Sequence, residues 1–277
     1  MAKNVVITGA SDGIGKAAAY GLNKKKYNLF IVGHNKHKTA NVAMNIGAKY
    51  FTVDFGSLDS VYKLAKQIKE VLGDASLDIL VNNAGGMFNK FDKTKNGFEK
   101  TFQINYLAPF FLTNLLLSKL LDAKGVVINT SSHANIYGHI NISDLNNQHK
   151  FHYRAYGTSK LEDLLMIKEL HRKYHRKGLS AVAYHPGVVS TNVMISNLFL
   201  NRLEGNIFNL FKPFLTSSKK AGKLLDWFIT GTPDVTWVSG RYYDKYKLTS
   251  KVNSQAKDLD LQKQLWDKSL KLVGLNK

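Results

Sequence analysis

The chain has 277 residues and 44% hydrophobic residues, enough to bury a sizeable core in one large domain. It contains no cysteine, which excludes a disulfide framework, a thiolate nucleophile and any cysteine-ligated zinc or iron–sulfur site. Its 39 Lys and Arg against 20 Asp and Glu give a formal charge of +19, which suits an anionic partner: nucleic acid, an anionic membrane surface or an anionic cofactor.

The first residues, MAKNVVITGASDG, lack the charged region, long apolar run and small-residue cleavage site of a secretory signal, so a cytoplasmic protein is expected. The run Val5-Val6-Ile7 reads as a strand. A glycine-rich turn follows, Gly9-Ala10-Ser11-Asp12-Gly13-Ile14-Gly15, and then Lys16-Ala17-Ala18-Ala19, with high helix propensity. Further strand-like runs stand at Leu29 to Val32, Tyr50 to Val53, Ile79 to Val81, Val126 to Ile128 and Ser180 to Tyr184, each after a segment with helical patterning. Apolar strands separated by crossover helices imply a doubly wound, mostly parallel sheet. The expected fold class is therefore α/β, Rossmann-like, in a single domain over residues 1–277.

The stretch Leu107 to Leu121 is broken by Thr113, Asn114, Ser118 and Lys119 and is too short for a bilayer, so no membrane span is predicted. Residues 192–216 carry Leu198, Phe199, Leu203, Ile207, Phe208 and Phe211 at roughly helical spacing, which reads either as a substrate lid or as a core-packing helix pair. Residues 249–277 form a C-terminal extension.

Glycines 9, 13 and 15 lie between a strand and a helix, where backbone N–H groups and the positive helix end can approach a pyrophosphate. Their Gly-x-x-x-Gly-x-Gly spacing departs from Gly-x-Gly-x-x-Gly, and a tight turn alone would also want such glycines. Beyond the second strand comes Gly33-His34-Asn35-Lys36-His37-Lys38. Between Asp12 and Asp54 there is no acid but seven lysines, which favours NADP(H) over NAD(H), because a carboxylate there would take ribose hydroxyls and repel a 2′-phosphate.

Tyr156 and Lys160 stand at i and i+4, sharing one helix face. A free phenol ionises near pH ~10, and a neighbouring ammonium favours its phenolate, so the pair suits proton transfer. Upstream, Val126-Val127-Ile128-Asn129 leads to Thr130-Ser131-Ser132, placing hydroxyls at the carboxyl edge of the sheet, where ligands of open α/β folds bind.

Together these residues resemble a classical short-chain dehydrogenase/reductase across essentially the full length. The matching motifs are Thr8 to Gly15, Asn82-Asn83-Ala84-Gly85, Asn105 and the Tyr156/Lys160 pair. The resemblance implies that Ser132 rather than Ser131 binds substrate and that Tyr156 donates or accepts the proton. It gives Lys160 the tuning of Tyr156 and the hold on the nicotinamide ribose, and Asn105 the support of a water relay. It assigns cofactor binding to Gly9, Ser11, Asp12, Gly13, Ile14 and Gly15, to His34, Asn35 and Lys38, to Asp54 and Phe55, to Asn82, Ala84 and Gly85, and to Pro186, Gly187, Val188 and Thr191.

Ser132 and Tyr156 are 24 residues apart, against about a dozen in the family, so an insertion within Ile136 to Arg154 is expected beside the active site. That gap, His185-Pro186-Gly187-Val188-Val189, Ser239 to Tyr243 and Leu265-Trp266 are similar to the retinol-dehydrogenase-like subset, whose members act on lipophilic alcohols and carbonyls. The function expected is an NADP(H)-dependent oxidoreductase interconverting an alcohol and its aldehyde or ketone, running as a carbonyl reductase. The alternative is a catalytically silent NADP(H)-binding regulatory protein. The basic cluster from His171 to Lys177 fits a helix C-terminus better than nucleic acid, no metal set is apparent, and a homodimer through helices near 108–121 and 159–171 is the partner the resemblance suggests.

Overall fold

A computed structural model of the chain describes residues 2–23, 27–88, 92–146, 152–189 and 216–275. The strands are β1 (Asn4–Thr8), β2 (Asn28–Gly33), β3 (Lys49–Thr52), β4 (Ile79–Asn82), β5 (Val126–Thr130), β6 (Ser180–His185), β7 (Arg241–Asp244) and β8 (Lys247–Leu248). Among the described residues they form one sheet in the order β3-β2-β1-β4-β5-β6-β7-β8, parallel throughout except for the antiparallel β7–β8 edge. All six runs expected from the sequence are strands of this sheet. β7 was not anticipated, because Arg241-Tyr242-Tyr243-Asp244 is short and half polar.

The sheet is wound on both sides. Val5 and Ile7 of β1 pack with Ala18, Ala19 and Leu22 of α1 (Gly13–Asn23), Val42, Ala43 and Ile46 of α2 (Lys36–Ile46), and residues of a later helix, Ser218–Thr230. Val6, facing the other way, joins Val61, Leu64 and Ile68 of α3 (Leu58–Leu72) and the helices that follow. This alternation is the two-residue period of a strand buried on both faces.

After β4 the chain runs through α4 (Lys100–Phe102), a π-turn at Gln103–Leu107, α5 (Ala108–Leu115) and α6 (Leu117–Asp122). Pro109 lacks an N–H, so it cannot close the α-helical bond to the carbonyl of Asn105 four residues back. The widened turn falls at that point, as π-bulges commonly do at functional sites.

α7 (His152–Tyr174) starts one turn before Tyr156 and carries the Tyr-x-x-x-Lys motif. Its basic end is partly paired internally: Arg172 and Lys173 both meet the buried carboxylate of Glu169. α8 (Ser218–Thr230) returns to α1, and α9 (Leu259–Leu272) closes the other face. Trp266 of α9 lies edge-on to Phe110 of α5, ring centroids 4.8 Å apart, and Ser269 shares a 2.8 Å hydrogen bond with the Tyr106 hydroxyl. The C-terminal extension therefore covers part of the α5 and α7 surface that the family resemblance offered for dimerisation. Among the described residues no helix is long and apolar enough to cross a membrane, and no group of His, Asp and Glu is placed to hold a metal ion.

Candidate active site

The carboxyl ends of β1 and β4 are joined by the Thr8 hydroxyl and the Asn83 amide. Thr8 Oγ1 donates to the Val81 carbonyl (3.0 Å) and accepts from the N–H groups of Asn83 (2.9 Å) and Ala84 (3.0 Å), while Asn83 Nδ2 donates to the Thr8 carbonyl (3.0 Å). Gly9 follows at φ +66, and a Cβ there would stand 2.8 Å from Ala84 Cα. Only glycine meets both constraints. A backbone-lined cradle results at the N-terminus of α1, and Asp12 Oδ1 accepts from Gly13 N (2.8 Å) at its rim.

The end of β2 forms the next wall. Asn35 caps α2, its Oδ1 accepting from Lys38 N (3.0 Å), and the first turn of α2 holds Lys36, His37 and Lys38 with no acid. Lys38 Nζ reaches across to Asp12 at 3.7 Å, both side chains being more than half exposed. His34 Nδ1 lies 3.3 Å from the Val53 carbonyl. Asp54 Oδ1 accepts from Gly56 N (2.9 Å).

Two of the expected cofactor residues turn their side chains inward. The Phe55 ring belongs to the core, and Asn82 Nδ2 donates to Thr113 Oγ1 (3.0 Å) and Asn129 Oδ1 (2.9 Å) inside the sheet. What either offers to the cleft is main chain. Gly85 is held against Asn105, whose Oδ1 would be 2.9 Å from a Cβ there. At the far side Pro186, Gly187 and Val188 follow β6, and Val188 is half exposed. Thr191 and residues 192–215 of the suggested lid lie outside the described residues.

Asn105 is buried and fully engaged. Its Oδ1 accepts from Gly86 N (2.9 Å), and its Nδ2 donates to the Gly86 carbonyl (2.9 Å) and to Ser159 Oγ (3.0 Å). Ser159 Oγ in turn donates to the Tyr156 carbonyl (2.8 Å), so the π-turn is bonded to the first turns of α7. The two serines after β5 separate cleanly. Ser131 is buried and donates to the Lys160 carbonyl (2.9 Å), whereas Ser132 is partly exposed beside the cleft, accepting from Ala134 N (3.2 Å).

Lys160 lies under the ring of Tyr156, its Nζ 5.8 Å from the ring centroid. The ammonium donates to the Thr130 carbonyl (3.0 Å) and to Asp163 Oδ2 (2.9 Å), and both side chains are almost wholly buried. Burial pushes the lysine down, but the charge of Asp163, the nearby Tyr156 and the hydrogen bond outweigh it, leaving Lys160 above its ordinary range. Burial pushes Asp163 up to about 6 against the pull of Lys160. Its neighbour Glu162, buried with no hydrogen-bond partner among the described residues, is held well above the carboxylate range by burial and by the charges of Asp163 and Glu99. Neither acid was singled out from the sequence; the only local signal is a pair of carboxylates immediately after the Tyr-x-x-x-Lys motif.

The described part of the segment between Ser132 and Tyr156 is held on two sides. The 3-10 turn His133–Tyr137 leads to Gly138, and Thr158 Oγ1 bonds both the N–H (3.0 Å) and the carbonyl (3.2 Å) of His139. The C-terminal extension holds the same loop. Asn253 Nδ2 donates to the carbonyls of Ile136 (3.0 Å) and Gly138 (2.7 Å), and the Gln255 amide pairs with both backbone groups of Ile140 (2.8 and 2.9 Å). Tyr137 and Tyr153, ring centroids 5.7 Å apart and both more than half exposed, rise on this rim with Ile136. His133 and His185 face each other at 5.9 Å, and burial pushes His185 down to about 4, with Asp244 opposing and His133 and Lys245 adding to the shift.

A parallel sheet with its glycine cradle, a serine after β5 and a Tyr-x-x-x-Lys helix beside it define a nicotinamide-dependent alcohol and carbonyl oxidoreductase. The family model described as short chain dehydrogenase matches residues 3–198, and the chain belongs to that family. It is 34% identical to human (Homo sapiens) retinol dehydrogenase 13 over 288 residues, covering 99% of this chain and 85% of that protein. It is also 34% identical over 280 residues to a Streptomyces sp. (strain C5) protein named as a daunorubicin C-13 ketoreductase, DnrU, covering 98% and 93% of the two chains. Among solved structures, an uncharacterised protein from Mycobacterium Paratuberculosis superposes with a TM-score of 0.77 at 27% identity, covering 98% and 93%.

Proposed function

We propose that the chain is an NADP(H)-dependent carbonyl reductase for lipophilic aldehydes and ketones, working in the cytoplasm. The observation that carries the cofactor preference is the first turn of α2 beyond β2, which holds no acid and where the helix N-terminus, Lys36 and Lys38, the last also within reach of Asp12, together favour a 2′-phosphate. The positive-φ cradle at Gly9 and the close approach of Gly85 to Asn105 fit a dinucleotide lying along the carboxyl edge of the sheet.

When bound, a reduced nicotinamide supplies the hydride. The chain's own residues supply the rest. Ser132 donates a hydrogen bond to the substrate oxygen, polarising the carbonyl, and Tyr156 gives the phenolic proton to that oxygen as the alcohol forms. Lys160 stabilises the phenolate left behind. The carbonyl of Asn105, deprived of an α-helical donor by Pro109, holds the water that returns a proton. Tyr137, Tyr153, Ile136 and Val188 offer an apolar rim to the substrate, and the names of the retinol dehydrogenase and ketoreductase relatives agree with such a substrate.

The test is oxidation of NADPH, and separately of NADH, over short, aromatic and long-chain aldehydes and ketones, beside Tyr156→Phe. Turnover preferring NADPH and long or aromatic carbonyls, lost by roughly 100-fold or more in the Phe variant, is expected. NADPH binding without turnover on any of them would favour the silent regulatory protein instead.

A further inference from the structure

The active-site lysine is not a lone ammonium. We propose that Asp163 is a positioning residue of this active site: its buried carboxylate holds the Lys160 ammonium against the Thr130 carbonyl and offsets its charge, so that Tyr156 answers to a buried ion pair. The inference rests on the roles given above to Tyr156 and Lys160.

The geometry is specific. Asp163 stands three residues after Lys160 on α7, Nζ to Oδ2 is 2.9 Å, and neither side chain exceeds 7% exposure. A single buried ammonium would be costly without a partner, and the carboxylate removes that cost while fixing where Nζ sits. The same contact changes what Tyr156 feels. An isolated ammonium favours phenolate strongly; an ammonium with a carboxylate behind it presents a dipole, whose field at the ring is weaker.

The charged neighbours on each packed element support one ion pair and no more. On α7 the groups are Tyr156, Lys160, Glu162 and Asp163, with Tyr153 toward the rim, and from β7 comes the buried phenol of Tyr242, which interacts with Tyr156. From the segment before α4 comes Glu99, whose two oxygens already accept from Thr101 and Phe102, and from the π-turn comes Tyr106, bonded to Ser269. Glu162 has neither a cation nor a hydrogen-bond donor among the described residues, and burial beside Asp163 and Glu99 holds its carboxyl well above the carboxylate range. The carboxylate bonded to the Lys160 ammonium is that of Asp163.

The experiment needs no substrate. Tyrosinate absorbance is titrated in the near ultraviolet for the wild-type chain and for Tyr156→Phe, and their difference isolates Tyr156. The same pair of titrations is made with Asp163→Asn, which keeps the shape and an acceptor oxygen but not the charge, with Asp163→Ser, and with Asp163→Glu. The midpoint of the difference curve should fall by about one pH unit in the neutral variants and return toward the wild-type value with Glu. Glu162→Gln should leave it in place.

Midpoints that coincide across the series would overturn the proposal. So would neutral variants that fail to fold, by circular dichroism, while the Glu variant folds, since Asp163 would then serve stability alone. Retention of carbonyl turnover by Tyr156→Phe would instead sink the catalytic roles on which the inference stands. An inactive Phe variant with an unmoved Asp163→Asn midpoint would sink only the inference.

Discussion

The glycine-cradle side of the cleft is held by bonds within the sheet, the rim around Ile136 to Ile140 by bonds that reach it from α7 and the C-terminal extension. Between β1 and β4 a threonine hydroxyl and a glycine without Cβ lock two strand ends together, and every partner belongs to the strand ends themselves. Around Ile136 to Ile140 the loop backbone is instead satisfied by Asn253 and Gln255, 115 residues further along the chain. A backbone cradle admits one ligand geometry. A loop held by side chains can change its shape by substitution without disturbing the cradle, which is how one fold serves many substrates.

The sharpest way to break the first region is Gly9→Val. A β-branched residue at φ +66, 2.8 Å from Ala84 Cα, should cost at least ~3 kcal/mol and abolish NADPH binding, measured by urea unfolding and by the fluorescence of bound NADPH. Breaking the second region should do less. Asn253→Ala removes two bonds to loop carbonyls, an expected loss of about 1–2 kcal/mol; the KM for a long-chain aldehyde should rise several-fold while the Kd for NADPH stays fixed. A rise in both constants together would show that the two regions are not separable.

A smaller effect sharpens the comparison at the helix the regions share. Burial and the charges of Asp163 and Glu99 hold the Glu162 carboxyl well above its ordinary value of 4.5, so above that pH the folded state binds more protons than the unfolded chain and stability falls as pH rises. Glu162→Gln removes that dependence. Urea unfolding at several pH values above ~4.5 should show the wild-type chain losing stability relative to the Gln variant as pH increases.

Short-range patterns made the first region legible in the sequence and left the second largely dark. The glycine turn, the strand runs and the Tyr-x-x-x-Lys spacing are local, and the sheet places them together. Ser132 was favoured over Ser131 by resemblance; in the structure Ser131 donates to the Lys160 carbonyl while Ser132 is partly exposed. Phe55 and Asn82, assigned by that resemblance, turn their side chains into the interior, which a local motif does not report. Asp163 reads in sequence as one more charge on a helix face. It becomes part of the site only because the sheet, the π-turn and α9 pack around α7, and no window of neighbouring residues reports that burial.

The strap of Asn253 and Gln255 also orders events in time. Chains emerge from the ribosome N-terminus first, so the glycine cradle, β1 to β6 and Tyr156 are all synthesised before the residues that fasten the rim. The rim loop is therefore fastened late, by residues made after every strand of the sheet, in the same stretch of synthesis that supplies Trp266 and Ser269 of α9 to the packing around Phe110 and Tyr106.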